Sequence, residues 1–160
     1  MTIDIRSATV DDARGIAEVH VGGWQEAYAH LVPAESLARL SVDQRELRWR
    51  EILAGDRTNT WVATDGGVVV GFADAGPATE DDIKGRLMLW SIYVLASHYG
   101  TGAGQRLLDA ALGAEPAVLW VADDNPRARA FYARNGFRPD GVTKTGPLAG
   151  TDILEVRLTR

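Results

Sequence analysis

The sequence predicts an α/β fold, a mixed central β-sheet flanked by helices in three layers, and three features carry that prediction. Stretches of strand and helix periodicity alternate along most of the chain. Leu87 to Leu95 is a near-continuous apolar run of strand length, as expected of a central strand covered on both faces. Directly after it, the glycine-rich segment 99–104 opens an amphipathic helix.

Taken in order, Ile3 and Ile5 alternate with polar residues as a short strand, and Thr9-Val-Asp-Asp12 has the capping-box pattern with acidic residues at a helix start. Ala13, Ile16, Ala17, His20, Trp24, Ala27, Tyr28 and Leu31 share one helical face, which Gly22-Gly23 is expected to interrupt and Pro33 to close. A second helix begins near Asp43, carries Trp49, Ile52 and Leu53 on one face, and ends near Gly55. Thr60 to Thr64 and Val68 to Ala73 are β-rich, and Asp65-Gly66-Gly67 between them predicts a tight hairpin. Gly76-Pro77 through Gly85 is polar and acidic and reads as a loop. Beyond the central strand, Leu107, Leu108, Ala111 and Leu112 form the apolar side of a helix, and Val118 to Val121 is a short buried strand. Asn125-Pro126 starts another helix, with Ala128, Phe131 and Tyr132 on its apolar side and Asn135-Gly136 as its stop. Phe137 onward and Ile153 to Leu158 close the chain as two strands. With no repeat, low-complexity tract or long linker, residues 1–160 are expected to form one domain.

Composition narrows the function. A chain of 160 residues can bury about two thirds of its unfolded surface and needs neither disulfide nor metal for a core. The absence of cysteine removes thiol nucleophiles and zinc-thiolate sites and fits a reducing compartment. His20, His30 and His98 lack ligand spacing, so no metal is expected. No apolar leader opens the sequence, and no run approaches the roughly 18 apolar residues of a membrane span, so a cytoplasmic protein without a membrane partner is expected. Seventeen basic against twenty-two acidic residues, a formal charge of -5, argue against a nucleic-acid partner and mildly favour a cationic acceptor.

The segment Gly100, Thr101, Gly102, Ala103, Gly104, between a buried strand and a helix, has the properties of a phosphate cradle. Glycines let bare backbone N–H groups approach an anion, and the helix start adds its unpaired amides and a dipole worth roughly 0.3–1 kcal/mol per charge. Gln105-Arg106 after Gly104 excludes the Gly-Lys-Ser/Thr of a P-loop. Leu107, where a dinucleotide fingerprint would need its third glycine, and the late position of the loop disfavour that ligand too.

Ser91-Ile-Tyr-Val94 followed by Tyr99-Gly-Thr-Gly-Ala-Gly104-Gln-Arg-Leu-Leu108 resembles the acetyl-CoA motif of the GNAT superfamily of N-acetyltransferases. Asn125-Pro-Arg-Ala128-Arg-Ala-Phe131-Tyr132-Ala-Arg-Asn-Gly136-Phe137 is similar to the second motif of that superfamily, and Trp24-Gln-Glu-Ala-Tyr28 with Pro33 resembles one of its branches. The resemblance implies that acetyl-CoA is the co-substrate. By it, the backbone at Ile92, Tyr93 and Val94 pairs with the pantetheine arm, the amides from Gly100, Thr101, Gly102, Ala103, Gly104 and Gln105 hold the pyrophosphate, Asn125 binds the arm, and Tyr132 sits by the thiol. Tyr132 is then the expected catalytic residue, a general acid for the leaving thiolate. Trp24, Tyr28 and Trp90 are the expected acceptor-binding residues. Two positions depart from the family pattern. Tyr99 replaces the usual Gln or Arg at the start of the loop, and Met88 replaces a Glu often found on the central strand.

The function these readings imply is transfer of acetyl to a primary amine of a small molecule or peptide by direct attack, with homodimer formation left open. Backbone N–H at Val94 is expected to stabilise the oxyanion, and positioning alone can supply about 7–11 kcal/mol. Free amines of the lysine type have a pKa of about 10, so a base must remove a proton, and Asp74, His20 and Glu26 are the candidates. The alternative is an acyl-CoA-binding regulatory domain with little turnover, motivated by Met88. Action on charged tRNA is disfavoured by the acidic balance.

Overall fold

The computed structural model describes residues 1–160. In chain order the elements are β1 (Ile3–Ser7), α1 (Ala13–Ala27), α2 (Ala34–Ala38), α3 (Val42–Ala54), β2 (Asn59–Asp65), β3 (Val68–Pro77), β4 (Leu87–Val94), α4 (Ala103–Leu112), β5 (Val118–Ala122), α5 (Pro126–Arg134), β6 (Arg138–Leu148) and β7 (Thr151–Thr159). The strands form one seven-stranded sheet in the order β1-β2-β3-β4-β5-β7-β6, with β4 at its centre. Every neighbouring pair is antiparallel except β4 and β5, which run parallel. This is the mixed α/β sheet with helices on both faces that the periodicities predict.

Side chains alternate across a strand, and here the alternation sorts the core into two layers. Val62 of β2 and Phe72 of β3 pack with Ile16, Ala17 and Trp49 under α1 and α3. Their neighbours Ala63 and Ala73 face the other way, into a larger cluster with Leu107, Leu108 and Leu112 of α4, Tyr132 of α5, and Phe137. At the start of α1, the Asp12 carboxylate accepts the Thr9 N–H at 2.8 Å, the reciprocal half of the capping box, while Arg6 grips both its oxygens at 2.8 Å.

Three local readings of the sequence are corrected. Helix α1 runs through Gly22 and Gly23 without a break. A Cβ on Gly23 would lie 2.9 Å from Tyr93 Cδ1, so the residue permits close approach of α1 to β4. Gly76 and Pro77 belong to β3, where they pair with Met88 and Leu87, and the proline sits at the last position of the strand, where a missing N–H is tolerated. A one-turn helix, α2, follows Pro33 where only a stop is expected.

Candidate active site

The parallel seam between β4 and β5 is short. It pairs Met88 with Val118 and Leu89 with Leu119, and then the strands diverge. A bulge marks the same point on the other side of β4. Asp74 of β3 pairs with Ser91 and Ala75 pairs with Leu89, so Trp90 has no partner and its side chain is 44% exposed. From Trp90 to Val94 the β5-facing edge of β4 is therefore an opening in the middle of the sheet. A cavity of about 240 Å³ fills part of it, lined by Met88, Trp90, Trp120 and Ala122 among others. A larger cavity of about 620 Å³ lies between α1, α3 and the β3–β4 surface. Trp24, Trp90 and Tyr93 line both, so they form the partition between the two spaces.

The glycine segment lies at the C-terminal end of β4. Gly100 and Gly102 have φ of 76° and 84°, which side-chain-bearing residues rarely adopt, and no protein atom lies within 4 Å of the Cβ either would carry. Thr101 Oγ1 donates to the His98 carbonyl at 2.7 Å and accepts the Ala103 N–H at 3.3 Å, which fixes the turn. The amides of Gly100, Thr101, Gly102, Gly104 and Gln105 find no acceptor within the chain. This set of free donors around a helix start fits a pyrophosphate. Ala103 is the exception within the expected cradle, since its amide is already engaged. Tyr99 supplies no cation, but the Arg127 guanidinium stacks on its ring at 3.6 Å from the centroid and returns a positive charge to the mouth of the loop.

Asn125 caps α5 by accepting the Ala128 N–H at 3.3 Å on its side-chain oxygen, which leaves its NH₂ group free to donate. Tyr132, two turns further along α5, is buried, and burial pushes its phenol well above the ordinary value of 10, with the Tyr28 phenol adding to the shift. Tyr28 belongs to a cluster on the α1 side and Tyr132 to the core under α4 and α5. The Tyr28 and Tyr93 hydroxyls are 3.3 Å apart. Ile92, Tyr93 and Val94 follow the bulge along the open edge, with the Tyr93 ring turned toward α1. Of the expected acceptor-binding residues, Trp24 and Trp90 line both cavities, whereas Tyr28 is reached only from the smaller one.

The three candidate bases separate clearly. His20 lines the larger cavity, but its Nδ1 accepts the Trp49 Nε1–H at 3.1 Å. Burial, helped by the charge of Arg45, holds its pKa down to about 3. A neutral ring with Nδ1 occupied carries its proton on Nε2 and has no lone pair left to accept one. Glu26 is exposed and accepts the Ala96 N–H at 2.6 Å, outside both cavities. Asp74 alone combines a place in the larger cavity with a raised pKa. It is 4% exposed, burial raises its pKa, and the Thr60 hydroxyl, donating at 2.8 Å, partly offsets the rise. Met88 packs against Ala78, Ile83 and Val118, as an apolar residue should, and takes no part in the larger cavity.

Sequence reasoning missed Arg45, which lines the larger cavity with its guanidinium 4.8 Å from the Trp24 ring centroid. A signal was present, because Arg45, Trp49 and Ile52 stand at i, i+4 and i+7 and an arginine on the apolar stripe of a helix is unusual.

The site is therefore a mixed sheet split beside its central strand, with free amides at one end of the split and a polar cavity on its flank. Comparison with known proteins says which class of protein this is. Residues 56–139 match the family model described as Acetyltransferase (GNAT) domain. Over 98% of its length the chain is 30% identical to the "Uncharacterized N-acetyltransferase YuaI" of Bacillus subtilis, covering 91% of that protein. Over 96% it is 30% identical to the "Probable N-acetyltransferase Rv2775" of Mycobacterium tuberculosis, again covering 91%. Among solved structures, the PaiA N-acetyltransferase of Thermoplasma acidophilum in complex with coenzyme A superposes with a TM-score of 0.71 at 18% identity, covering 98% of each chain. The chain belongs to the GNAT acetyltransferases and is an acyltransferase.

Proposed function

We propose that the protein transfers acetyl from acetyl-CoA to a primary amine by direct attack, and that the acceptor is a small molecule rather than a protein. The observation that carries this reading is the placement of Asp74 in a cavity of about 620 Å³ divided only by Trp24, Trp90 and Tyr93 from the split beside β4. That volume suits a small ligand. The free amides from Gly100 to Gln105 hold the pyrophosphate, assisted by Arg127, and the Asn125 NH₂ group and the open edge of β4 hold the arm. Acetyl-CoA supplies the activated acyl group. Asp74 receives the ammonium proton, directly or through water, the amine nitrogen bonds to the acyl carbon as the C–S bond breaks, and the second proton that this nitrogen then sheds passes through water to restore the Tyr132 phenol once it has protonated the sulfur. Tyr132, whose phenol stays protonated across the physiological range, donates to the departing sulfur. The buried carboxylate also removes the motive for a binding-only domain, which rested on Met88. Absence of cysteine supports a cytoplasmic location, and no helix is long and apolar enough to cross a membrane.

Thioester-dependent release of free CoA in the presence of an amine panel tests the proposal. Gly102→Val should weaken acetyl-CoA binding at least about tenfold, because a β-branched residue at φ 84° costs roughly 1–2 kcal/mol in backbone strain and its Cβ stands where phosphate must approach. Unchanged affinity in calorimetry would reduce the loop to a simple turn.

A further inference from the structure

We propose that the acceptor amine carries an acid group, a carboxylate or phosphonate, which Arg45 binds while Asp74 faces the ammonium end. The proposal rests on the acetyl-transfer reading and specifies the ligand of its larger cavity.

Arg45 stands apart from the other arginines around α3. Arg14 pairs with Asp43 at 2.6 Å, Arg50 with Glu46 at 3.1 Å and Arg48 with Glu51 at 3.2 Å. Arg45 makes no ion pair or hydrogen bond within the chain, although acidic residues outnumber basic ones overall. It is partly buried, and that burial works against its charge. A cation taken out of water without an anion is costly, and a residue that persists there is poised for an anionic ligand. Trp24 holds the guanidinium over its ring at 4.8 Å, within the reach of a cation–π contact, and so fixes it in the cavity wall.

The charge pattern of the cavity has the same sense. Arg45, Arg48 and Arg57 line it against Glu51 and Asp74, with His20 neutral. Glu51 is occupied by Arg48. What remains is a buried carboxylate on the sheet floor and two guanidiniums without an ion pair, Arg57 exposed beyond the end of α3 and Arg45 half-buried on the α3 wall; only Arg45 is held in place by an aromatic ring, so it and Asp74 are the fixed poles of opposite sign. A zwitterionic amine satisfies both. A polyamine satisfies Asp74 but brings a second positive charge into a wall that already holds three arginines. The net charge of -5 mildly favours a cationic acceptor, and the local field of this cavity reverses that expectation.

Matched acceptors provide the test. The rate of CoA release from acetyl-CoA is measured with amino acids and aminophosphonates, with the corresponding amino-acid amides, and with spermidine. The acids should exceed the amides in kcat/KM by roughly 10- to 100-fold, the range expected for hydrogen bonds to a charged group. Carboxylate and phosphonate arms identify which acid the site prefers. Arg45→Gln should raise KM for the acid by a similar factor, leave kcat within a few-fold, and erase discrimination between acid and amide, while Arg45→Lys should restore part of it. Equal or better turnover of amides or spermidine by the wild type, or an unchanged acid-to-amide ratio in Arg45→Gln, would overturn the assignment. Should Arg45→Gln not fold, the wild-type panel alone decides. Calorimetry with acetyl-CoA separates the two levels of failure. A protein that binds acetyl-CoA and acetylates none of the acids overturns the acceptor assignment alone, whereas one that does not bind acetyl-CoA overturns the transfer reading as well.

Discussion

Asp74 is held in the fold at a cost, and the sign of that cost can be followed with pH. Its folded-state pKa lies above its unfolded value, so its contribution to stability is fully present below about pH 4 and is lost as pH rises through the folded value. Ionising Asp74 in the fold therefore works against folding. Asp74→Asn should raise Tm at pH 7, with the gain shrinking toward pH 4, and should lower kcat by about 10²-fold or more. Parallel melts and CoA-release assays check both halves, and lower stability with normal turnover would make Asp74 a structural residue. For Tyr132, Phe should keep the ring packing, leave acetyl-CoA affinity within a few-fold and lower kcat by about 10²–10⁴-fold, the range for a lost proton donor. Because burial carries the phenol well above 10, any alkaline fall in rate below that pH should be unchanged in the variant. This differs from the behaviour of a free tyrosine. The place of Tyr132 on the apolar side of α5 was legible from the helical spacing, but the separation of Asp74 from His20 and Glu26 was not. It depends on Trp49 occupying His20 Nδ1 and on Ala96 engaging Glu26, contacts between residues 29 and 70 positions apart.

Among the elements, α1 shows how packing overrides propensity. Replacing a helical glycine with alanine is ordinarily worth roughly 0.5–1 kcal/mol in favour of folding. At Gly23 the added Cβ would meet the Tyr93 ring at 2.9 Å, with two more of its atoms at 3.2 Å. Overpacking of this kind costs about 1–3 kcal/mol, so Gly23→Ala should lower Tm. Gly22→Ala meets only the tip of Leu95 at 3.3 Å and should leave Tm unchanged or raise it. Thermal melts of the two single variants provide the comparison, and similar shifts would show that propensity alone governs this helix. The capping box, the Asp65-Gly66-Gly67 hairpin and the glycine loop were readable because their causes lie within a few residues. The continuity of α1 and the extension of β3 through Pro77 were not, since their causes are Tyr93 and Leu87 on another strand.

For the whole molecule, a ligand that contacts both sides of the split should stabilise the fold as a unit. Acetyl-CoA at about 100 times its Kd should add about 2.7 kcal/mol to the native state and raise Tm, while ATP and NADH should add much less. Equal stabilisation by ATP in a thermal-shift titration would remove the case for an acetyl-CoA site. The architecture was legible because alternation and helical spacing are local and recur in every layer. The divergence of β4 from β5 was not, because a continuous apolar run from Leu87 to Leu95 reads as a strand paired throughout. The actual seam is the two contacts Met88–Val118 and Leu89–Leu119, so the block β1–β4 and the block β5–β7 meet through very little backbone. Amide protons on the outer edge of β4 are consequently shielded by no neighbouring strand beyond Leu89. In deuterium exchange, those of Trp90 to Val94 that face the split should exchange rapidly in the free protein and slow when acetyl-CoA supplies the missing acceptors. The short seam would then make the pantetheine arm a temporary strand of the sheet, and occupancy of the site could be read from isotope uptake along a single segment of five residues.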